Sequence, residues 1–517
     1  MTAVEGLYGK VKASNWVPLA ILAFLAPCGM WCAYSLVEGG GSQTVEFGAA
    51  AGSFVILAFA YLALRGVRNM GWTSVPVLLT LEALAGYIFI PIWQFATGAD
   101  ALDDSYVHAM VLVLIGFASF WLASILLARE QGVRFFASTR DTPHRTVVIG
   151  STLLVLGFLG KAILWRTGLF AYAADPGLRS SAAGILQWLT LLANLLDFAL
   201  LVSAVELFSK RSVPQAIRVV FWVSFLLSVG FGVISGMKAE LLHPIANVVI
   251  VFAITRRRLP RAAVVLPFLL VLVVYPFVNA FRDNLNSGYR AQFNTLGGME
   301  QTLVQSFNDA FLSFGATSGG TRKENLQTAT SRVSYLTYVR DVSSLPVPSM
   351  LGGGEKVWMA PIYPLVPRFL WPGKPVLNKG QRLSILLGRP DTTSSAPTPI
   401  GDMYALYGTY GVVLSMLFWG ACLQLYMNWI GSRGVNERGL FIFMLMLTSL
   451  LEQEYDFIGL IAAAEQRLII ALVLSYIIYG WSESTARVPK RWSYSPRTKP
   501  GSKAFSGGRY ERSESES

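Results

Sequence analysis

The chain alternates between apolar runs of about twenty residues and short polar connections, many of them basic. A helix rises 1.5 Å per residue, so roughly 20 apolar residues cross the hydrocarbon core of a bilayer. The pattern predicts twelve membrane spans, near 16–37, 44–64, 73–97, 106–128, 146–167, 183–207, 216–236, 240–255, 262–280, 398–429, 439–455 and 459–481. The eighth is short and follows the seventh through the tight turn SGMKAE. A transmembrane β-barrel would need alternating segments of about ten residues, which the chain lacks.

The connections fall into two alternating sets. One holds Lys10 and Lys12, Arg65 and Arg68, Arg129 to Arg145, Lys210 to Arg218, Arg256 to Arg261, Arg433 and Arg438, and the tail after Arg487. The other holds EGGGSQ, TGADALDDSY, the segment around Asp175, SGMKAE and one very long loop. Basic short loops stay on the cytoplasmic side, which predicts cytoplasmic termini and an outer long loop. The first apolar run has no small-residue cleavage site and is expected to be a retained span. The expected division is 1–280 with nine spans, 281–397 as the periplasmic loop, 398–481 with three spans, and 482–517 as a disordered cytoplasmic tail near anionic headgroups.

The long loop interrupts this pattern, and at over a hundred residues it needs structure of its own. Helical periodicity runs through 298–315 and 324–343. LGGGE (351–355) and the Pro-spaced stretch from Pro361 to Pro375 read as turning or extended chain.

Composition agrees with the spans. Hydrophobic residues make up 53% and charged residues 14%, against about 25% charged in soluble domains, and the mean hydropathy is +0.50. A soluble fold is excluded. The net charge of +12 would suggest nucleic acid in a soluble protein, but here most of it lies in topology-setting loops, and no nucleic-acid partner is expected. Cys28, Cys32 and Cys422 sit in apolar segments without the His or further Cys of a metal set.

Candidate chemistry collects in the outer set. Residues 281–397 hold twelve Lys or Arg against seven Asp or Glu. Arg332 and Arg340 stand eight residues apart on a predicted helix and so share a face. Arg282 opens the loop, and Arg368, Lys374 and Arg382 follow. A planar guanidinium suits phosphate, so this set reads either as a cradle for an anionic lipid headgroup such as a pyrophosphate or as a solvated surface. In SGMKAELLHP, Lys238 and Glu240 read either as a site or as a surface pair, and His243 as structural. Asp402 in GDMYALYG lies where a carboxylate caps free helix N–H groups. Glu452, Glu454 and Asp456 lie at an outer helix end, where one is a possible general base. Asp103 and Asp104 form the one adjacent acidic pair of the short outer loops, a weak metal signal, and no metal or other cofactor is expected. The G-x-x-x-x-G-K-[ST], H-E-x-x-H and C-x-x-C motifs are absent.

The outer turn GMK, PIYPLVPRFLWPGKP (361–375) and PTPIGDMYALYGTYG (397–411) together resemble the Wzy-type O-antigen or exopolysaccharide polymerases, the oligosaccharide repeat unit polymerases. That resemblance implies an all-α polytopic, GT-C-like fold in a bacterial inner membrane. It implies polymerisation of undecaprenyl-pyrophosphate-linked repeat units on the periplasmic face, by transfer of the growing chain onto the next unit. It carries a pyrophosphate-binding role onto Arg368 and, less closely, onto Lys238, where the family often has Arg. With Asp402 these form the expected catalytic set. Arg282, Arg332, Arg340, Lys374 and Arg382 join the substrate-binding set by location, and Trp371 and Tyr404 as sugar-stacking rings or interface anchors. The implied partners are the lipid-linked oligosaccharide, membrane lipids, a flippase and a chain-length regulator.

Two alternatives stay open. An O-antigen ligase resembles the polymerases, but its pattern includes an essential outer-loop His, and 281–397 contains none. A transporter would gather polar residues at the bilayer midplane, whereas the sequence places them mainly in the outer connections.

Overall fold

The computed structural model describes residues 42–479 other than 68–73, 99, 130–142, 172–173, 175–182, 211, 257–276, 290–291, 316–333, 346–350, 352–355, 364, 367–369, 372–373, 376–378, 390–394, 434 and 452–454. The described residues are helical throughout their long elements. In chain order these are α1 (Ser42–Val67), α2 (Val75–Ala83), a π-helical turn (Leu84–Phe89), α3 (Ile90–Ala96), α4 (Asp104–Leu126), α5 (Pro143–Arg166), α6 (Ala183–Ser209), α7 (Gln215–Ser235) and α8 (Lys238–Arg256). Then come α9 (277–286), α10 (Leu296–Gly315), α11 (Tyr335–Ser343), α12 (Lys379–Leu386), α13 (Pro399–Arg433), α14 (Glu437–Leu450) and α15 (Phe457–Tyr479).

Among the described residues, eight spans are long and apolar enough to cross a membrane: Gln43–Arg65, Val75–Ala96, Asp104–Leu126, His144–Arg166, Trp188–Ser209, Gln215–Ser235, Pro399–Gly431 and Phe457–Tyr479. They correspond to eight of the twelve expected. The expected span 16–37 and most of 262–280 lie outside the described residues. The span expected at 240–255 is the helix α8, which carries Lys238, Glu240 and Arg256. The one expected at 439–455 is α14, 14 residues long because the chain turns at Leu451. Cys28 and Cys32 lie outside the described residues, and Cys422 is a free thiol on α13.

The helices form two packed groups. In one, α4 lies between α1 and α13, with α2, α3 and the loop helix α11 around it. In the other, α5, α6, α7 and α8 pack on one another. α14 and α15 bridge them, touching α6, α8, α5 and α13. The main core is aromatic where α1 and α4 meet: Phe54 stands edge-on to Phe117, and Tyr61 stacks on Trp121. The span Val75–Ala96 is 67% buried and therefore central, while His144–Arg166 and Gln215–Ser235 are 33% buried and face outward with apolar side chains.

Local sequence explains the departures from regular helix. Pro91 cannot donate an N–H, and its ring clashes with the carbonyl four residues back. The turn before it widens into the π form, and the Ile90 N–H reaches the Ala85 carbonyl five residues back. That turn holds Gly86, where a Cβ would strike the Tyr335 ring, so the loop helix α11 seats there. α13 is broken at Gly408, whose φ of 63° and ψ of −156° are non-helical.

Without a hydrophobic drive between helices in lipid, close backbone approach through small residues carries packing. Gly157 and Gly160 supply it between α5 and α6. A Cβ on Gly157 would collide with the Leu196 backbone, and one on Gly160 would lie 2.6 Å from the Ala193 nitrogen. Gly157→Val is expected to destabilise the protein by about 1–3 kcal/mol through overpacking. Gly52→Ala, in open space, should not. Thermal unfolding in detergent checks this, and a Gly157→Val protein melting with the parent would contradict the contact.

Candidate functional site

PTPIGD (397–402) begins α13. Pro399 is its first helical residue, where a missing N–H costs nothing. Thr398 precedes it with a φ of 56°, strained for a branched residue, and its Oγ1 accepts from the Gly401 N–H at 3.2 Å. Asp402 thus does not cap its own helix. Its Oδ1 takes a hydrogen bond from Lys379 Nζ of α12 at 2.7 Å, and its Oδ2 accepts from the backbone N–H of Phe457, the first residue of α15, at 3.0 Å. Both side chains of the ion pair are 0% exposed. Asp456 caps the same helix end through the Gly459 N–H. Glu452 and Glu454 lie outside the described residues.

A second cluster adjoins through α11. Its buried face, Leu336, Val339 and Val342, packs into the core, and Val342 closes against Gly401 of α13. Its polar residues meet the connection before α4. Arg340 pairs with Asp341 at 2.8 Å and with Asp100 at 3.4 Å, and its guanidinium lies 4.5 Å from the Tyr106 ring centre. Tyr106 OH donates to Asp100 Oδ2 and lies 3.3 Å from Thr337 Oγ1. Arg389 bridges Asp341 Oδ2 and Ser395 Oγ at 2.8 and 2.7 Å. Burial opposes the charge on Arg340, but the hydrogen bond to Asp341 and the neighbouring Tyr106, Asp341 and Asp100 hold its pKa above the ordinary guanidinium value. Tyr404, one turn along α13 from Ile400, hydrogen-bonds His108 at 3.1 Å.

The turn between α7 and α8 is fixed separately. Gly236 ends α7 in the left-handed conformation, and Arg282 Nε donates to its carbonyl at 2.7 Å. Glu240 pairs with Lys161 of α5 at 3.1 Å. Ser228 donates to Asp197 at 3.0 Å. Lys161 and Asp197 lie within membrane-length spans, as does Arg467, which donates to Thr448. At the far end of the first group, buried Arg65 donates to Tyr61, Ser124 and Gln424.

Of the residues expected from sequence, Asp402, Arg340 and Tyr404 gather where α4, α11 and α13 meet. Trp371 stacks on Tyr363 in a small cluster with Ile458, so its ring is engaged in packing. Lys374 Nζ donates to the Val366 carbonyl at 3.1 Å. Arg382 is half-buried on α12. Arg282 stands with the α7–α8 turn, where Lys238 is the first residue of α8. Arg368 and Arg332 lie outside the described residues. Asp103 caps α4 through the Tyr106 N–H at 2.9 Å, which accounts for one of the acidic pair. Among the described residues no three His, Cys, Asp or Glu side chains form a metal-sized group. Sequence reasoning missed Asp100, Tyr106, Asp341, Lys379 and Arg389, and the in-span charges Lys161, Asp197 and Arg467. A lone charge inside an apolar window was the available signal for those three.

Removing one partner of a buried ion pair costs about 3–5 kcal/mol, because the other is left uncompensated. Lys379→Met is expected to cost that much. Lys379→Met with Asp402→Asn should recover most of it, since an amide oxygen still accepts from Phe457. Chemical unfolding of the three proteins tests this, and additive losses would show that the two side chains do not act as a pair.

No curated protein and no solved structure matches the chain. The model of one family, described as a domain of unknown function (DUF8712), matches residues 161–431, from the end of α5 through the long loop to the end of α13. That match covers more than half of the 517 residues, and the chain belongs to this family.

Proposed function

We propose that the chain is a GT-C-like glycosyltransferase of a bacterial inner membrane, with twelve spans and cytoplasmic termini. In this reading it polymerises undecaprenyl-pyrophosphate-linked repeat units into O-antigen or exopolysaccharide at the periplasmic face. The observation that carries the reading is the seat of α11: a helix of the long loop lies against α4 and α13, and there Arg340, which shares Asp341 with Arg389, meets the connection that precedes the membrane-length span of α4. Cations at that level suit a pyrophosphate whose lipid tail stays in the bilayer. The grouping of ends supports the sidedness. Asp100, α11, Asp402 and the start of α15 share one end of the first helix group, and Arg65, Arg129 and Asn428 share the other.

In the proposed reaction an acceptor hydroxyl attacks the anomeric carbon of the growing chain. The bond to the pyrophosphate oxygen breaks, the hydroxyl proton departs to a base, and charge grows on the leaving group. Fixed cations where charge develops are the usual largest catalytic contribution. Arg368 and Lys238 are assigned that role by resemblance, with Arg282, Arg332, Arg340, Lys374 and Arg382 as the substrate-binding set. Both oxygens of Asp402 are occupied, which favours its positioning α12, α13 and α15 over proton transfer. Flippase and chain-length partners belong to the same proposal.

Transport is the second reading, favoured by Lys161, Asp197 and Arg467 within spans. Reconstituted liposomes with labelled lipid-linked repeat units separate the two. Extension of the glycan without net flux supports transfer, and flux without extension supports transport.

Two outcomes follow for transfer. Arg368→Ala should abolish polymer in cells at normal protein level, through loss of the bidentate phosphate contact that holds the leaving group. Arg368→Lys should keep partial activity, because an ammonium replaces the charge but not the fork. The lipid-linked glycan profile reads both, and full-length polymer from the alanine variant would reject the assignment. With cations neutralising the leaving group, purified protein should also extend repeat units in excess EDTA, and Asp103→Asn with Asp104→Asn should keep most of that activity. Turnover lost in EDTA and restored by Mg²⁺ would redirect attention to the α3–α4 connection.

A further inference from the structure

A second helix of the long loop, α10, starts beside the end of a membrane-length span. One face of this helix, with Gly298, Thr302, Ser306 and Ala310, is buried. It is fixed from α9 by Asn284, whose Nδ2 donates to Ser306 Oγ at 3.1 Å and to Asp309 Oδ2 at 2.9 Å. The other face carries Val304, Phe307 and Phe311, which are 56%, 63% and 70% exposed. Spacings of three and four residues place them in one stripe. Such a stripe marks an interface when it is not core.

Two observations point to what covers it, and a third sets how it would be held. First, the start of α10 is held at the end of a membrane-length span. Trp165 Nε1 donates to the Phe293 carbonyl at 2.9 Å and Arg166 Nη1 to the Asn294 carbonyl at 3.2 Å, and Arg166 is the last residue of the span His144–Arg166. Second, that span presents Leu159 and Ile163 outward near the same end, so its outward apolar face runs to the end that anchors the start of α10. Third, α10 contains no Lys or Arg, but it contains Glu300 and Asp309. It therefore has no charge attraction for anionic headgroups, and only apolar burial at about 25 cal/mol per Å² can hold it on a membrane.

We propose that α10 lies in the membrane interface on the long-loop side, with Val304, Phe307 and Phe311 inserted among the acyl chains. Glu300 shares this face one turn before Val304, so the end nearer Phe311 sits deeper. The insertion fixes the entry of the long loop at bilayer level, independently of what the protein catalyses.

Nitroxide labels test it on the full chain in lipid nanodiscs, with Cys28, Cys32 and Cys422 replaced by Ala. Labels are placed singly through Val304→Cys, Phe307→Cys and Phe311→Cys, and through Gln305→Cys on the polar side. The expected result is a several-fold higher ratio of oxygen to nickel-complex accessibility at 304, 307 and 311 than at 305, largest at 311. The ratio should be the same in phosphatidylcholine discs and in discs containing an anionic lipid. Equal ratios at all four positions would overturn the proposal, as would spin–spin broadening at 307 and 311 that shows a second copy on the stripe. Insertion found only with anionic lipid would overturn the apolar mechanism.

Discussion

A carboxylate with no exposed surface is tolerable only if both oxygens are engaged, and Asp402 meets that condition by joining three distant parts of the chain. Stripping two charges of water costs several kcal/mol per ion, and attraction repays it only with good geometry and further hydrogen bonds. Here the further bond comes from the Phe457 N–H, one of the orphan donors at the start of α15. One side chain therefore satisfies a loop cation and a helix end together. It fixes α12 against α13, and through Ser395, Arg389 and Asp341 it fixes α11 as well. The loop is seated on the helices by polar contacts whose loss would leave buried groups unpaired.

Eight of the twelve expected spans were legible because each of those apolar runs has a length that the bilayer dictates. The helix at 298–315 was legible because its periodicity is strong, and the structure gives Leu296–Gly315. The role of Asp402 was only half legible. Its place at a helix start is local, but its partners lie 23 and 55 residues away and no local rule selects them. Glu240 reaches Lys161 on α5, a partner 79 residues away that no local rule selects. The π-turn was invisible for a related reason: Pro91 signals strain, but whether the helix breaks or widens depends on the Tyr335 ring packed at Gly86.

Charges within spans show the same logic at greater depth. Arg65 is buried and shared among Tyr61, Ser124 and Gln424, and Gln424 passes the network on to Asn428 and the Leu127 carbonyl. The end of α4 is thereby supplied with partners where lipid offers none. Lys161 and Glu240 tie α5 to α8 in the same way. Each group has a partner on another helix, so these charges specify which helices meet, a task apolar surfaces in lipid perform poorly.

The same pairing shapes the proposed chemistry. Arg340 and Arg389 share Asp341, and Arg340 also reaches Asp100, so two cations face two carboxylates. Under the proposed reading, a pyrophosphate arriving there would not meet bare cations. It would replace carboxylate oxygens with phosphate oxygens, exchanging one set of charge-assisted bonds for another. The Asp341 side chain is 5% exposed, so that exchange would leave a buried carboxylate short of its cations, and the phosphate contacts would have to offset the cost.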